Sequence, residues 1–511
     1  MKKLTIISCI ALSLLGGMSS CTDDFLTVDS ASQLMADGTY YNSKKHLTEA
    51  LVATYDPLKW YDYFYSYESL PFVADLMSED VMAGGSDAND CLYLHKISNF
   101  SALPTSVCNQ SWSICYSGIN RANIVLQYIG NASDMTTEEK ELYTAEATTL
   151  RAWYYTLLWK YWGNVPYYET NLSLPYLCPQ MGHDAVYEKI ASSLETVINA
   201  GSLPMKSTVG NEGHVTKAMA EMLYADVVMY QKDAARYPKA LGYMKEIIAS
   251  GKYSLVTDFA SMWESSGEWG SESIFEINYT SSNGNRSWGS PLVTGGSVFP
   301  KFIGINNLSY PKDTVNDFNG GWGFEPVCAS AYTMFDSNDK RRDASVLNFA
   351  DYKAKKGAKY SPRFEDTGYF LRKYLPRKDG NKGYTADGDL NYNNNVRFYR
   401  YAETLLNAAE LLLQTGGSTA EAQGYLDKIR TRAGLGSVTV SIDNILNERH
   451  KEFVGEGKRY WDLVRSGKAA TVLTAGSTVT RTVGWSESKK YLPIPQSEID
   501  AAQGTLTQNN Y

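Results

Sequence analysis

The sequence predicts a mainly α-helical protein, in which helix pairs of the tetratricopeptide kind form a scaffold for an irregular, loop-rich layer with a few short strands. Apolar residues recur at helical spacing over residues about 137–250 and 398–433. Over residues about 253–395 this spacing disappears, and Gly, Ser and Asn clusters alternate with aromatic rings. Because the helix pairs are not in tandem, we expect a scaffold carrying a second layer and not an unbroken solenoid.

The most strongly patterned helix is predicted from about Thr137 to Trp162. Its aromatic and aliphatic side chains, Trp153 among them, form one broad stripe at helical period, which predicts deep burial. Thr136 and Glu139 have the spacing of a capping box, and Pro166 forbids continuation of the helix.

The chain before this helix alternates helices with irregular segments. Helices are predicted at Asp37–Tyr55, Tyr67–Met77 and Trp112–Ile129. The segment from Tyr55 to Tyr67 carries seven aromatic residues in thirteen without a clean period, and an acidic, Gly-containing loop follows Met77.

Further helices after the long one form pairs, and one strand is predicted in the loop-rich region. The helices are Val186–Ala200, His214–Gln231, Tyr237–Ser250, Phe398–Gln414 and Thr419–Ala433, and the strand is Ser273–Tyr279.

Residues 1–20 read as a secretory signal, because Lys2 and Lys3 precede an apolar run and a stretch of small residues. The small residues end at Cys21 in a pattern that resembles a bacterial lipobox, with Met18 in place of the usual Leu. We therefore expect Cys21 to be the lipidated N-terminus, and residues 21–511 to form a single domain.

Composition excludes some functions and favours others. The formal net charge of −8 argues against non-specific nucleic-acid binding. The 38 Tyr and 11 Trp residues offer flat apolar faces with a polar edge, which suits sugar binding, although a large core gives the same count. No CxxC or HExxH occurs and the five His are scattered, so the sequence predicts no zinc site.

Several segments, in order along the chain, resemble the SusD/RagB-like family of outer-membrane nutrient-binding lipoproteins. They are LRAWYYTLLWKYWGNVPYY, NVRFYRYAETLLNAAELL, and, within a C-terminal block at 446–511, NERHKEFVGEGKRYWDLVRSGK, YLPIPQSEID and the closing QNNY. The resemblance implies a cell-surface protein, lipid-anchored in the outer membrane, that captures an oligosaccharide without catalysis. It also implies delivery of the ligand to a SusC-like TonB-dependent transporter.

The same resemblance implies that the acidic loop after the second helix contributes polar groups to the glycan site. Asp87 and Asn89 are the candidates there, with Tyr93 as a nearby ring, and an ordinary solvated loop is the alternative.

The loop-rich insertion supplies the other candidates, because a Trp can stack on a pyranose while neighbouring Asn or Arg side chains bind hydroxyl groups. Trp288 and Trp322 are the best candidates for exposed rings, because Gly, Ser and Asn surround them in the sequence. Near Trp288 in the sequence lie Tyr279, Asn283 and Arg286. Each Trp could equally pin its loop to the scaffold.

Calcium is a weaker alternative prediction. Asp387, Asp389, Asn391 and Asn393 occupy alternate positions as in a calcium loop, but Tyr392 and Phe398 stand where Gly and Glu are required. The residues fit a polar segment that precedes the helix at Phe398 better than they fit a calcium loop. No other cofactor is expected.

Mixed charges at helical spacing fill the C-terminal block, and we interpret them as ion pairs that fix a helix junction. They are Glu448, Arg449, Glu452, Glu456, Lys458, Arg459, Asp462 and Arg465. Two other functional classes stay open: a surface glycoside hydrolase, whose carboxylate pair leaves no spacing signature, and a tetratricopeptide-type scaffold that binds protein.

Overall fold

The structure is a computed structural model that describes residues 40–511, so the predictions for residues 1–20 and Cys21 lie outside the described residues. It confirms a mainly helical fold. The first helices are α1 Lys44–Tyr55, α2 Leu70–Leu76, α3 Leu92–Ser98, α4 Asn109–Tyr128, α5 Thr137–Trp162, α6 His183–Ala200, α7 Lys217–Gln231 and α8 Tyr237–Ala249. The later ones are α9 Phe299–Ile303, α10 Ala329–Thr333, α11 Arg342–Ser345, α12 Phe349–Lys356, α13 Tyr401–Gln414, α14 Thr419–Arg432, α15 Ile442–Phe453, α16 Arg459–Arg465, α17 Ala469–Val472 and α18 Gln496–Ala501.

The long helices form one row in space. From α4 to α8 each helix packs against the next, and α8 then packs against α13, which packs against α14. The chain leaves the row after α8 and returns to it at α13, so the helical layer is continuous although its sequence is interrupted. The predicted scaffold is confirmed, with the insertion projecting from between two neighbouring helices.

Helix α5 is the second helix of this row and lies between α4 and α6. Its predicted boundaries are confirmed: Thr136 and Glu139 form the capping box, and Gly163 follows the last turn with a φ of 74°. Trp153 and Trp162 are 1% and 0% exposed, because helices cover both sides of α5.

Within residues 40–511, three small antiparallel sheets accompany the helices. They are β1 Val165–Pro166 with β2 Gln180–Met181, β3 Ser273–Ile277 with β6 Val396–Arg400, and β4 Val346–Asn348 with β5 Tyr369–Leu371. The pairing of β3 with β6 joins the two ends of the insertion. The insertion also has a small apolar core of its own, which includes Ile305, Phe318 and Phe370.

Several predicted helix boundaries are wrong by a few residues. The helix predicted from Phe398 begins at Tyr401, because residues 396–400 extend to pair with β3. The helix predicted from His214 begins only after Thr216, whose hydroxyl caps it, and the one predicted from Tyr67 begins at Leu70.

The charged C-terminal block forms buried ion pairs. Glu452 accepts hydrogen bonds from Arg341 and Arg400 at 3.0 Å and from Arg432 at 2.5 Å. Burial alone would raise the pKa of Glu452, but these three guanidinium groups outweigh burial and hold the pKa well below its usual value. The acidic members of the block are all buried, namely Glu448, Glu452, Glu456 and Asp462.

Candidate functional site

Five aromatic side chains gather on one part of the surface, and we call them the aromatic platform. Tyr63, Tyr65 and Tyr67 come from the segment after α1, whereas Trp288 and Trp322 come from two loops of the insertion. The structure therefore brings the two predicted Trp residues together with three Tyr residues that sequence reasoning did not select.

Four of the rings make a closed circuit of contacts. Tyr63 stacks on Tyr67 with centroids 5.3 Å apart, and Trp288 stacks on Trp322 at 5.8 Å. The two stacked pairs meet edge to face, with interplanar angles of 80° between Tyr63 and Trp288 and 75° between Tyr67 and Trp322. Tyr65 extends the circuit from Tyr63 at 6.2 Å. The ring faces consequently point in more than one direction.

The platform combines a rigid base with exposed rings. Beneath it, the buried Phe302 stacks on Tyr67 at 4.6 Å and on the buried Phe324 at 4.0 Å. Tyr65 is 63% exposed and Trp288 is 38% exposed, which is unusual for rings of this size. Apolar faces held open to solvent in this way are typical of a binding surface.

Arg286 holds two parts of the platform together from inside the protein. It is 0% exposed, and its guanidinium donates to both carboxylate oxygens of Asp62 at 2.9 and 3.0 Å. It also donates to the carbonyls of Tyr63 and Pro291 at 3.1 and 2.8 Å. Because Trp288 lies two residues from Arg286, this buried ion pair joins the Tyr63 segment to the Trp288 loop.

The prediction that Arg286 contacts a ligand is therefore corrected, because burial leaves it no face for one. The same correction applies to Tyr279, which is 8% exposed and donates its hydroxyl to the carbonyl of Lys59 at 3.2 Å. Burial raises the pKa of the Tyr279 phenol well above its usual value. Both residues support the loops and do not line the surface.

Tyr93 also supports the platform. Its hydroxyl accepts from the Tyr67 amide and donates to the Tyr67 carbonyl, both at 2.9 Å. The half-buried Tyr93 thus fixes the backbone that carries a platform ring.

Asp87 and Asn89 are exposed on the loop that follows α2, where Asp87 accepts from the Asn89 amide at 2.7 Å. This loop reaches the platform at its base, because Gly85 donates its amide to the carbonyl of Gly323 at 3.2 Å. Arg363 adds a second link, since it lies 3.7 Å from Asp90 and donates to the carbonyl of Trp322 at 3.0 Å. Asp87 and Asn89 consequently offer polar groups on a loop attached to the Trp322 segment.

The remaining predicted residues have separate positions. Asn283 is exposed on the Trp288 loop with a φ of 55°. In the segment predicted as an alternative calcium loop, Asp387 accepts from the Trp288 amide at 3.2 Å, and Asp389 lies 3.1 Å from Lys301. The side-chain amide of Asn391 donates to two backbone carbonyls that are close to it in space.

The other Trp residues of the insertion differ from the platform pair. Trp263 is 1% exposed and packs under the guanidinium groups of Arg397 and Arg400, so it pins its loop. Trp269 is half-buried, and its indole N–H donates to Asn278 at 2.7 Å.

Two of the concave pockets on the described surface, both of large volume, are lined by residues outside the platform. One, of about 360 Å³, is lined by residues that include Tyr55 and His214, and the other, of about 370 Å³, by residues that include Tyr116 and Tyr176. Neither contains a residue that the sequence selected.

Chemically, the platform can stack the C–H faces of sugars, while nearby carboxylates, amides and guanidinium groups bind hydroxyl groups. The acidic residues of the C-terminal block are buried in ion pairs, so they offer no carboxylate to a substrate.

The SusD family pattern matches residues 271–511, and a pattern described as starch-binding associating with outer membrane matches residues 24–221. Within residues 40–511, no helix has the length and apolar character that crossing a membrane requires.

Individual relatives agree with these patterns. Surface glycan-binding protein A from Bacteroides thetaiotaomicron, solved in complex with laminarihexaose, has 46% identity and a TM-score of 0.87, over 92% of this chain and 100% of that one. The corresponding protein from Bacteroides uniformis has 42% identity and a TM-score of 0.83, over 92% and 100%. A SusD-like protein of Formosa agariphila is 26% identical over 93% of this chain and 94% of its own.

Proposed function

The chain belongs to the SusD family of glycan-binding proteins, and we propose that it binds a β-1,3-glucan of the laminarin type on the aromatic platform. SusD proteins bind carbohydrate and are non-catalytic, so the chain is not an enzyme. The ring circuit is the observation that carries the proposal: Tyr65 and Trp288 are exposed, Tyr67 and Trp322 are half-buried, and the buried Tyr63 supports them.

The choice of glycan has two supports. The Bacteroides thetaiotaomicron relative was solved with laminarihexaose, and another solved relative, 31% identical over 99% of its chain, is described as a laminarin-binding SusD-like protein. The second support is the platform itself, whose stacked pairs meet at 80° and 75°. A chain that turns, as a β-1,3-linked glucan does, can place successive sugar faces on rings that point in different directions, whereas a straight β-1,4-linked chain cannot.

Delivery of the glycan is the second part of the proposal. We infer that the protein is anchored through Cys21 in the outer membrane, faces the exterior and passes its ligand to a SusC-like TonB-dependent transporter. The match to a family described as associating with the outer membrane supports this location. A binder without a catalytic site needs such a partner if its ligand is to cross the membrane.

The linkage of the preferred glucan is tested by calorimetry on the full chain in detergent with three hexasaccharides. We expect laminarihexaose to bind at least about tenfold more tightly than the straight-chained cellohexaose, a difference of about 1.4 kcal/mol, and maltohexaose, which also turns, tests whether curvature alone is enough. Equal affinities for all three would contradict selection by platform shape. Binding of none would contradict the assignment of a glucan as the ligand.

The partner is tested by gentle extraction of the tagged protein from cells grown on the preferred glucan. We expect a TonB-dependent transporter to copurify in mild detergent. Recovery of the protein alone under several such conditions would contradict delivery but would leave glycan binding intact.

A further inference from the structure

Three side chains with metal-binding chemistry meet at a place that includes no residue of the platform. Glu79 and Asp80 follow α2, and His450 lies in the last turn of α15, 370 positions after Asp80. One donor atom from each lies within 4.8 Å of the other two. The sequence predicted no zinc site because it has no local ligand motif, and a site assembled across this separation leaves no such motif.

Two carboxylate oxygens in this group have no protein donor. Asp80 is 1% exposed, and its Oδ1 accepts from His450 Nε2 at 2.7 Å. Its Oδ2, and Oε2 of Glu79, are buried and accept no hydrogen bond from any residue between 40 and 511. Buried carboxylate oxygens are normally satisfied by donors or by a metal ion, so these two have room for a partner from outside the described chain.

The donor set selects the class of ion. An imidazole nitrogen with carboxylate oxygens suits zinc and related divalent transition metals, whereas calcium and magnesium take oxygen ligands. Three protein ligands are the number that zinc sites with an open fourth position use. Zinc ligands about 2.0–2.2 Å from the metal lie about 3.4 Å from one another, a spacing that small side-chain rotations reach from the present arrangement.

The surroundings permit loading. The side chains of Glu79 and His450 are each 15% exposed, so the group lies just beneath the surface. Arg459 donates to Oε1 of Glu79 at 2.9 and 2.6 Å, which orients that carboxylate and leaves Oε2 free. A metal-ligating carboxylate is commonly held by such an outer partner.

We propose that Glu79, Asp80 and His450 bind one divalent transition-metal ion of the zinc class. The ion would replace the proton that now joins His450 to Asp80, and it would tie the segment after α2 to α15. That segment continues into Val81, which pairs with Val327, and into the loop of Asp87. The site is thus structural, and it is independent of the proposed glycan function.

The test uses the untagged full chain in detergent, freed of metal with a chelator and dialysed. Titration with zinc chloride in a calorimeter is expected to show one equivalent bound. His450→Gln keeps an amide donor near the position of Nε2 for Asp80 but removes the imidazole ligand, and Glu79→Gln keeps an acceptor for Arg459. Each is expected to weaken zinc binding by more than about 10–100-fold, the range for losing a group that only supports a ligand.

His95→Ala is the matched control, because His95 is also half-buried beside a carboxylate, 4.0 Å from Glu365. It should bind zinc like the parent. No stoichiometric zinc binding by the parent, or equal weakening by the His95 and His450 variants, would overturn the proposal. Binding of calcium or magnesium in preference to zinc would overturn the assigned class of ion.

Discussion

The buried pair of Arg286 and Asp62 allows a sharp test of how the platform is positioned. Arg286→Ala leaves the Asp62 carboxylate, which is 2% exposed, without its cation. Removing one partner of a buried ion pair costs about 3–5 kcal/mol of unfolding free energy. The same change frees the Trp288 loop from the Tyr63 segment, so glycan affinity should fall even among molecules that remain folded.

The loss can be converted into a melting temperature. The roughly 470 described residues give an unfolding entropy of about 1 kcal/mol/K, so the expected decrease is about 3–5 °C. Differential scanning calorimetry measures this decrease, and laminarihexaose titration below the transition measures the affinity. The double variant Asp62→Asn/Arg286→Met leaves no buried charge, and it should recover part of the stability but not the affinity.

Lys468→Ala is the control, because it breaks an exposed ion pair with Asp443 and should change the unfolding free energy by less than about 1 kcal/mol. If Arg286→Ala melts like this control, or if it binds glycan like the parent, the positioning role given to Arg286 is refuted.

Three further predictions address the scaffold, the ion pairs and the anchor. Trp153→Ala should cost about 3–5 kcal/mol of stability while leaving glycan affinity per folded molecule unchanged, as calorimetry and binding on one preparation would show. Acid should destabilise the protein. Two arginines hold the pKa of the buried Asp462 at about 2, and three hold that of Glu452 well below its usual value. Because both folded-state pKa values lie below the unfolded ones, this stability is complete above about pH 4.5 and is lost as the pH falls towards about 2, which urea unfolding at several pH values would measure. Cys21→Ala should move the protein from the membrane fraction to the soluble fraction, and unchanged fractionation would contradict lipidation.

Much of the fold could be predicted because its signals are local. The capping box and apolar stripe of α5 specify that helix from its own residues. The boundary at Phe398 could not be predicted in the same way, because residues 396–400 pair with β3, more than a hundred positions earlier. This long-range pairing keeps residues 396–400 extended although their sequence has a helical pattern. The helix therefore begins only at Tyr401.

The site was predictable in part, because some of its signals are also local in the sequence. The open context of Trp288 and Trp322 indicated rings free of the core, and the structure places these two together. The dense aromatic segment from Tyr55 to Tyr67 was visible, but only the fold shows which of its rings face the Trp pair. The burial of Arg286 could not be predicted, because its partner, Asp62, is 224 positions away in the sequence. Without that partner, the sequence shows only a cation beside Trp288, which suits a ligand.

The central claim is that the aromatic platform binds the glycan, and one calorimetric comparison tests it most directly. Laminarihexaose is titrated into the parent and into Trp288→Ala, Trp322→Ala and Trp269→Ala, where Trp269 is a half-buried Trp of the same insertion outside the platform. Losing a stacked ring costs about 0.5–1.5 kcal/mol beyond burial, so each platform variant should lose about tenfold or more in affinity. The account predicts that loss for both platform variants and parent-like binding for Trp269→Ala. Parent-like binding by the Trp288 and Trp322 variants, with melting temperatures lowered as much as in Trp153→Ala, would contradict it.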